Sequence, residues 1–273
     1  METLSLVIIF LGFSLIGIYF YTKPSGLLEV NFLDVGQGDA ILIKDCLGKT
    51  ILIDGGPDKT ILQQLGKVLP WYDKTIDLMI LTHNHDDHLV GLLEVLKKYK
   101  IEHIIYPNTA IKSSNYSSWL KLARERKIDL LNITNLNKLI LSCGYFSILS
   151  KGIIDGNINN ESLVLKLNYN KTSFLLAGDA EKEVENKLIE QKIVTSKINV
   201  FKLSHHGSDT ANTENFLNII KPDIAIIEVG KNNKFGHPSL RIINRLKRLG
   251  TKIFRTDNNG NIKIFSNGFS LSF

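Results

Sequence analysis

The seven residues from Thr82 to His88, Thr-His-Asn-His-Asp-Asp-His, hold three of the chain's seven histidines and two aspartates. They lie between an apolar run, Leu78 to Leu81, and a helically spaced stretch, Leu89 to Tyr99. His83 and His85, two apart in an extended segment, can point the same way and share one metal ion. Asp87 and His88 follow where a helix begins. Neutral imidazoles and carboxylates are the donors that divalent metals such as zinc accept, and a helix start orients them while leaving a coordination position open for water. Of the other histidines, His205 and His206 are adjacent, His237 precedes a proline, and only His103 stands outside a motif. Such concentration favours chemistry over scattered surface use.

These residues need elements to hold them. The runs Leu28 to Leu33, Ala40 to Lys44 and Thr50 to Ile53 are rich in Ile, Leu and Val and bounded by Gly or Asp, which predicts consecutive antiparallel strands. The last run delivers Asp54-Gly55-Gly56-Pro57, whose glycines permit a tight turn beside the histidine loop. Asp54 is placed there to orient a ligand histidine through its other ring nitrogen. A helical pattern from Asp58 stops before Pro70, and Ile76 to Leu81 reads as the strand carrying the loop. Further on, Ser173 to Leu176 runs into Gly178-Asp179, and Asn199 to Leu203 into Ser204-His205-His206-Gly207-Ser208. Ile224 to Val229 leads to Gly236-His237-Pro238 and a helix from Ser239. Strands that repeatedly end in ligand-type residues are the arrangement in which α/β layers build sites, where loops converge.

A chain of 273 residues with 44% apolar content can bury a large core, and nothing in its composition suggests disorder. The formal charge of +6 tolerates an anionic substrate. Cys46 and Cys143 have neither C-x-x-C spacing nor a neighbouring histidine, so neither reads as a metal ligand, and their pairing is left open. Leu4 to Tyr21 is nearly continuous apolar sequence, about long enough to span a bilayer. Glu2 precedes it, Lys23 follows it and no Ala-x-Ala appears, so an uncleaved transmembrane helix is expected over a cleaved signal. The expected division is residues 1–26 as anchor and linker and 27–273 as the catalytic domain, making a single-pass membrane-anchored protein. Lys23 on the C-terminal flank argues for a cytoplasmic domain, on the strength of one charge.

The histidine loop, the later Gly-Asp and the distal histidine resemble the metallo-β-lactamase superfamily. The blocks from Phe32 to Ala40 (FLDVGQGDA), Leu176 to Glu181 (LAGDAE) and Ser204 to Ser208 (SHHGS) resemble more narrowly the hydrolase domain of ComEC-type DNA-internalisation proteins. The resemblance implies an αββα sandwich, two mixed sheets face to face with helices outside. It implies His83 and His85 on a first metal, Asp87 and His88 on a second, and Asp179 bridging. From the Ser-His-His-Gly-Ser block, His205 is expected as a further second-site ligand, with His206 close behind. Asp87 and His237 are the expected catalytic residues, His237 at the rim against substrate or leaving group. The chain departs from the pattern where superfamily hydrolases place another first-site histidine; Asn159-Asn160-Glu161-Ser162 stands there instead, with Asn160 beside the metal ligands. The other departure is Val90, where relatives often carry glycine.

The expected activity is metal-dependent hydrolysis by a metal-bound hydroxide, with one or two divalent ions, zinc first and manganese as the alternative. Two cations joined by a bridging aspartate suit a phosphodiester, and the resemblance points to nuclease action on DNA during uptake. A single apolar segment cannot form a DNA channel, so the expectation is either a free-standing hydrolase or the partner of a separate channel subunit. The competing readings are a hydrolase of small esters, lactones or thioesters, and a catalytically silent binding module at the membrane.

Overall fold

The computed structural model describes residues 26–110 and 112–273. The apolar run from Leu4 to Tyr21 therefore lies outside the described residues; among those described, no helix is long and apolar enough to cross a membrane. One sheet contains β1 (Leu28–Phe32), β2 (Ile41–Lys44), β3 (Thr50–Ile53), β4 (Thr75–Ile80), β5 (Lys100–Tyr106) and β6 (Asp129–Asn132), and beyond β1 the late strands β14 (Ile262–Ser266) and β15 (Leu271–Ser272). The other contains, from one edge to the opposite one, β7 (Lys138–Ile140), β8 (Tyr145–Lys151), β9 (Leu163–Tyr169), β10 (Thr172–Leu176), β11 (Val200–Lys202), β12 (Ile224–Ile227) and β13 (Lys252–Arg255). Both sheets are mixed. The strands from β15 to β3 pair antiparallel and those from β3 to β6 parallel; β7 to β10 are antiparallel and β10 to β13 parallel.

Strands apolar on both faces force this layering. Ile41, Ile43, Ile51 and Ile53 face Phe146, Leu165, Phe174 and Val200 of the other sheet in one buried cluster. Leu42 and Leu52, on the opposite face, pack with α1 (Thr60–Val68), α2 (Asp86–Lys98) and α3 (Ser114–Glu125) through Leu65, Leu92 and Trp119. Phe201, Ala225 and Ile227 likewise meet α4 (Lys182–Glu190), α5 (Glu214–Ile220) and α6 (Leu240–Arg248) through Val184, Phe216 and Leu246. A period of two puts alternate residues on opposite faces, so each strand feeds two cores. The result is the layered αββα sandwich.

The helix after the histidine loop begins at Asp86, earlier than its apolar periodicity predicts. Asp86 and Asp87 occupy its first turn, where carboxylates offset the positive end of the helix dipole. Opposite the strand ends that carry this loop, Cys46 in the β2–β3 turn and Cys143 in the β7–β8 turn form a disulfide between the two sheets.

Candidate metal centre

Two glycines let the first turns interlock. Gly55 N donates to His88 O (2.8 Å) and Gly91 N to Gly56 O (2.9 Å). A Cβ on Gly91 would sit 1.8 Å from the Gly55 carbonyl oxygen. The Asp54 turn is thus pressed directly onto the start of α2.

Three buried histidines are each held at Nδ1 and present Nε2 to a common space. His83 Nδ1 lies 3.2 Å from the Thr82 hydroxyl, His88 Nδ1 2.8 Å from Asp54 Oδ2, and His206 Nδ1 2.9 Å from the Glu228 carbonyl oxygen. Asp54 also accepts from Thr82 N (2.8 Å) and Thr82 Oγ1 (2.6 Å), so the carboxylate that orients His88 also fixes the loop. This is the place the sequence predicted for Asp54. Fixing one ring nitrogen selects the tautomer and leaves the other with a lone pair for a metal.

Opposite these rings stand Asp179 and Asp87. Asp179 Oδ2 is 3.3 Å from His88 Nε2 and 3.5 Å from His206 Nε2; Asp87 Oδ2 is 3.2 Å from His206 Nε2, and its Oδ1 is 2.6 Å from His85 Nδ1. The donors fall into two overlapping groups that share Asp179: His83, His85 and Asp179, and Asp87, His88, Asp179 and His206. Within the cluster His83 Nε2, His88 Nε2 and Asp179 Oδ1 are buried without a hydrogen-bond partner. Stranding such atoms is costly unless something else binds them. A set of aimed imidazole and carboxylate donors fits one or two divalent ions.

The electrostatics agree. Burial holds the His83 imidazole well below its ordinary value, and a neutral imidazole is what a metal accepts. Burial would raise Asp179, but His206 and His88 beside it hold it well below the carboxylate range. Burial opposes charge on His206 too, yet Asp179, Asp39 and Asp87 raise it to about 10. His88 is raised for the same reason, chiefly by Asp179 and Asp54 against its burial. A cavity that gathers this much negative charge around buried rings is one that attracts cations.

Two placements differ from the sequence expectation. His205 turns away from the cluster: its Nδ1 meets Glu181 Oε1 at 3.2 Å and the Thr210 hydroxyl at 3.1 Å. Its neighbour His206 takes the position in the donor group. The cause is the backbone, which holds both residues in the left-handed region at φ 49° and 53° and so sends adjacent side chains apart. Asn160 does not reach the metal donors; it is buried in a loop clamp, its Nδ2 2.7 Å from Asp155 Oδ2 and its Oδ1 accepting from Glu181 N at 3.0 Å. From that segment it is Ser162 that approaches, its hydroxyl accepting from Asp179 N at 3.1 Å. His237 lies at the rim, half-buried, its ring 6.5 Å from that of His206.

Sequence reasoning missed a buried charge network behind the donors. Lys202 donates to Asp39 Oδ2 in a close contact and to Gly178 O at 3.1 Å, with Asp179 Oδ1 4.0 Å away. Asp39 Oδ1 lies 3.3 Å from His206 Nδ1, and Glu228 Oε1 accepts from Ala40 N at 2.9 Å. Burial and the charge on Asp39 push the Glu228 carboxyl well above the ordinary range. The signal was present: Lys202 and Glu228 are the charged residues in otherwise apolar strand segments, where a charge is rarely buried unless it has partners.

Comparison with known proteins bears on family and fold. The sequence model of the metallo-beta-lactamase superfamily matches residues 33–230. ComE operon protein 3 of Bacillus subtilis is 30% identical over 264 residues, 90% of this chain and 34% of that protein. Competence protein ComA of Neisseria gonorrhoeae is 26% identical over 245 residues, 87% of this chain and 32% of that protein. The chain thus spans about a third of the length of these relatives. Igni18, described as a novel metallo hydrolase of Ignicoccus hospitalis, superposes with a TM-score of 0.57 at 14% identity, over 86% of this chain and 98% of that one, a likeness of fold.

Proposed function

The chain belongs to the metallo-beta-lactamase superfamily, and from that premise we propose that it is a metal-dependent phosphodiesterase acting on DNA in connection with DNA uptake. The observation that carries this reading is the pair of donor groups sharing Asp179, with His83 Nε2, His88 Nε2 and Asp179 Oδ1 buried and unpartnered. His83, His85 and Asp179 would hold one ion, and Asp87, His88, His206 and Asp179 the other. Divalent ions at such donors supply a water acidified toward neutrality and positive charge against phosphate oxygens, with zinc proposed first and manganese second. The chain's own part is to orient the rings through Thr82, Asp54 and Glu228, and to bring His237 to the rim, where its ring can contact a leaving group. The formal charge of +6 and the names of the relatives, one of them a competence protein, support a DNA substrate.

The apolar run before the domain supports a membrane anchor. The Cys46–Cys143 disulfide supports a domain on the oxidising face of that membrane, against the single charge of Lys23. Thiol alkylation of the unreduced, denatured chain should find no free cysteine; two labelled cysteines would reverse that assignment.

The test pairs metal content by elemental analysis with hydrolysis of bis(p-nitrophenyl) phosphate by the native chain and Asp87→Ala. Bound metal with turnover that the substitution abolishes supports the reading. Turnover of p-nitrophenyl acetate alone would favour an ester, lactone or thioester hydrolase. A chain that takes up no metal and hydrolyses neither substrate would be a binding module, as the three-donor first group allows.

A further inference from the structure

The row of rings that begins in the metal centre continues outward. From His206 the next ring is His237, and 6.0 Å beyond His237 lies Phe235, its plane only 14° from that of His237. Phe235 is 58% exposed. One apolar ring in water is ordinary on a protein surface, but here the backbone that carries it is pinned. Asn233 Oδ1 accepts from Phe235 N (3.2 Å) and His237 N (3.0 Å), while its Nδ2 donates to Gly230 O (3.1 Å) and His237 O (2.7 Å). One side chain therefore ties the loop at both ends, and Gly230 N is anchored in turn on Gln37 Oε1 at 3.1 Å. A loop backbone fixed in this way loses little freedom when something stacks on the ring it carries. Lys234 Nζ stands 5.4 Å from the Phe235 ring centre, so a cation accompanies the flat surface.

We propose that Phe235 is a stacking platform for a nucleobase of a single strand whose phosphate enters the metal centre. This assignment rests on the phosphodiesterase reading above. A flat apolar face, a neighbouring lysine and, a few ring-widths away, a donor cluster that would take phosphate through bound metal match the three parts of a nucleotide, namely base, backbone charge and scissile phosphate. A duplex keeps its bases stacked on one another, whereas a single strand can turn one outward onto an aromatic side chain.

The test is binding of a fluorescent thymidine oligonucleotide with phosphorothioate linkages, which resist cleavage, against an abasic oligomer of equal length and charge. The full metal-loaded chain should prefer the thymidine strand by about 5- to 150-fold. Phe235→Ala should bind both strands alike, and Phe235→Trp should restore the preference. A native chain that does not distinguish the strands, or a Phe235→Ala variant that keeps the full preference, overturns the platform. Base preference without phosphodiester cleavage would sink the nuclease reading and leave the platform standing; cleavage without base preference would do the reverse.

Discussion

Replacing Asp54 by Asn changes one oxygen to an amide nitrogen and tests how the metal centre is oriented. Asp54 Oδ1 accepts from Thr82 N, and Oδ2 accepts from both Thr82 Oγ1 and His88 Nδ1. If the new amide faces His88, it donates to Nδ1 and the ring proton must move to Nε2, the atom aimed at Asp179. If it faces the other way, it opposes the Thr82 N–H, donor against donor. Neither arrangement preserves the native pattern, and His88 is fully buried, so water cannot repair it. Loss of a carboxylate that orients a ligand histidine typically costs about 10- to 100-fold in metal affinity, or about 1.4–2.7 kcal/mol. Competition of the chain against a fluorescent zinc chelator measures this directly, with far-UV circular dichroism confirming the fold. Asp54→Ala should be worse, since three buried donors lose their acceptor at about 1–3 kcal/mol each. An Asp54→Asn variant with affinity within about twofold of the native chain would refute the role of Asp54.

His206→Ala should lose the tighter of two metal equivalents in elemental analysis, whereas His205→Ala should keep the native stoichiometry, because only His206 stands in the donor group. Gly91→Ala drives a methyl into the Gly55 carbonyl 1.8 Å away and should lower stability by about 1–3 kcal/mol or more in urea unfolding. In the metal-free chain His206 is raised from 6.5 to about 10, so its favourable contribution is complete below 6.5 and is lost as pH rises through about 10. Urea midpoints of the metal-free chain should therefore fall across that window, and His206→Ala should abolish that part of the fall.

What could be read in the sequence was what lies close together in it. The histidine loop is contiguous and follows an apolar strand, so both its candidate donors and its support were visible, and the place of Asp54 beside His88 was legible because a Gly-Gly turn follows its strand. The αββα layering came from resemblance, and the period of two explains it, since Leu42 and Leu52 serve one core and Ile41, Ile43, Ile51 and Ile53 another. The choice between His205 and His206 was not legible, because it depends on two successive left-handed backbone conformations rather than on residue type. Lys202 and Glu228 stood out as charges in apolar segments, but their meeting with Asp39 was not legible, since the three lie on distant segments and come together only when both sheets close over them. The stretch from Asn159 to Ser162 was placed near the site by resemblance, but only its fold shows that Asn160 is a clamp while Ser162 supports Asp179.

The most direct measurement is cleavage of an end-labelled single-stranded DNA oligonucleotide by the metal-loaded full chain and by Asp179→Asn, the residue common to both donor groups. The native chain should cut the strand, lose activity to a chelator and regain it with added zinc or manganese, while Asp179→Asn should be inactive and hold less metal. A native chain that binds metal yet leaves DNA intact, or an Asp179→Asn variant that cuts as well as the native chain, would contradict the proposed function.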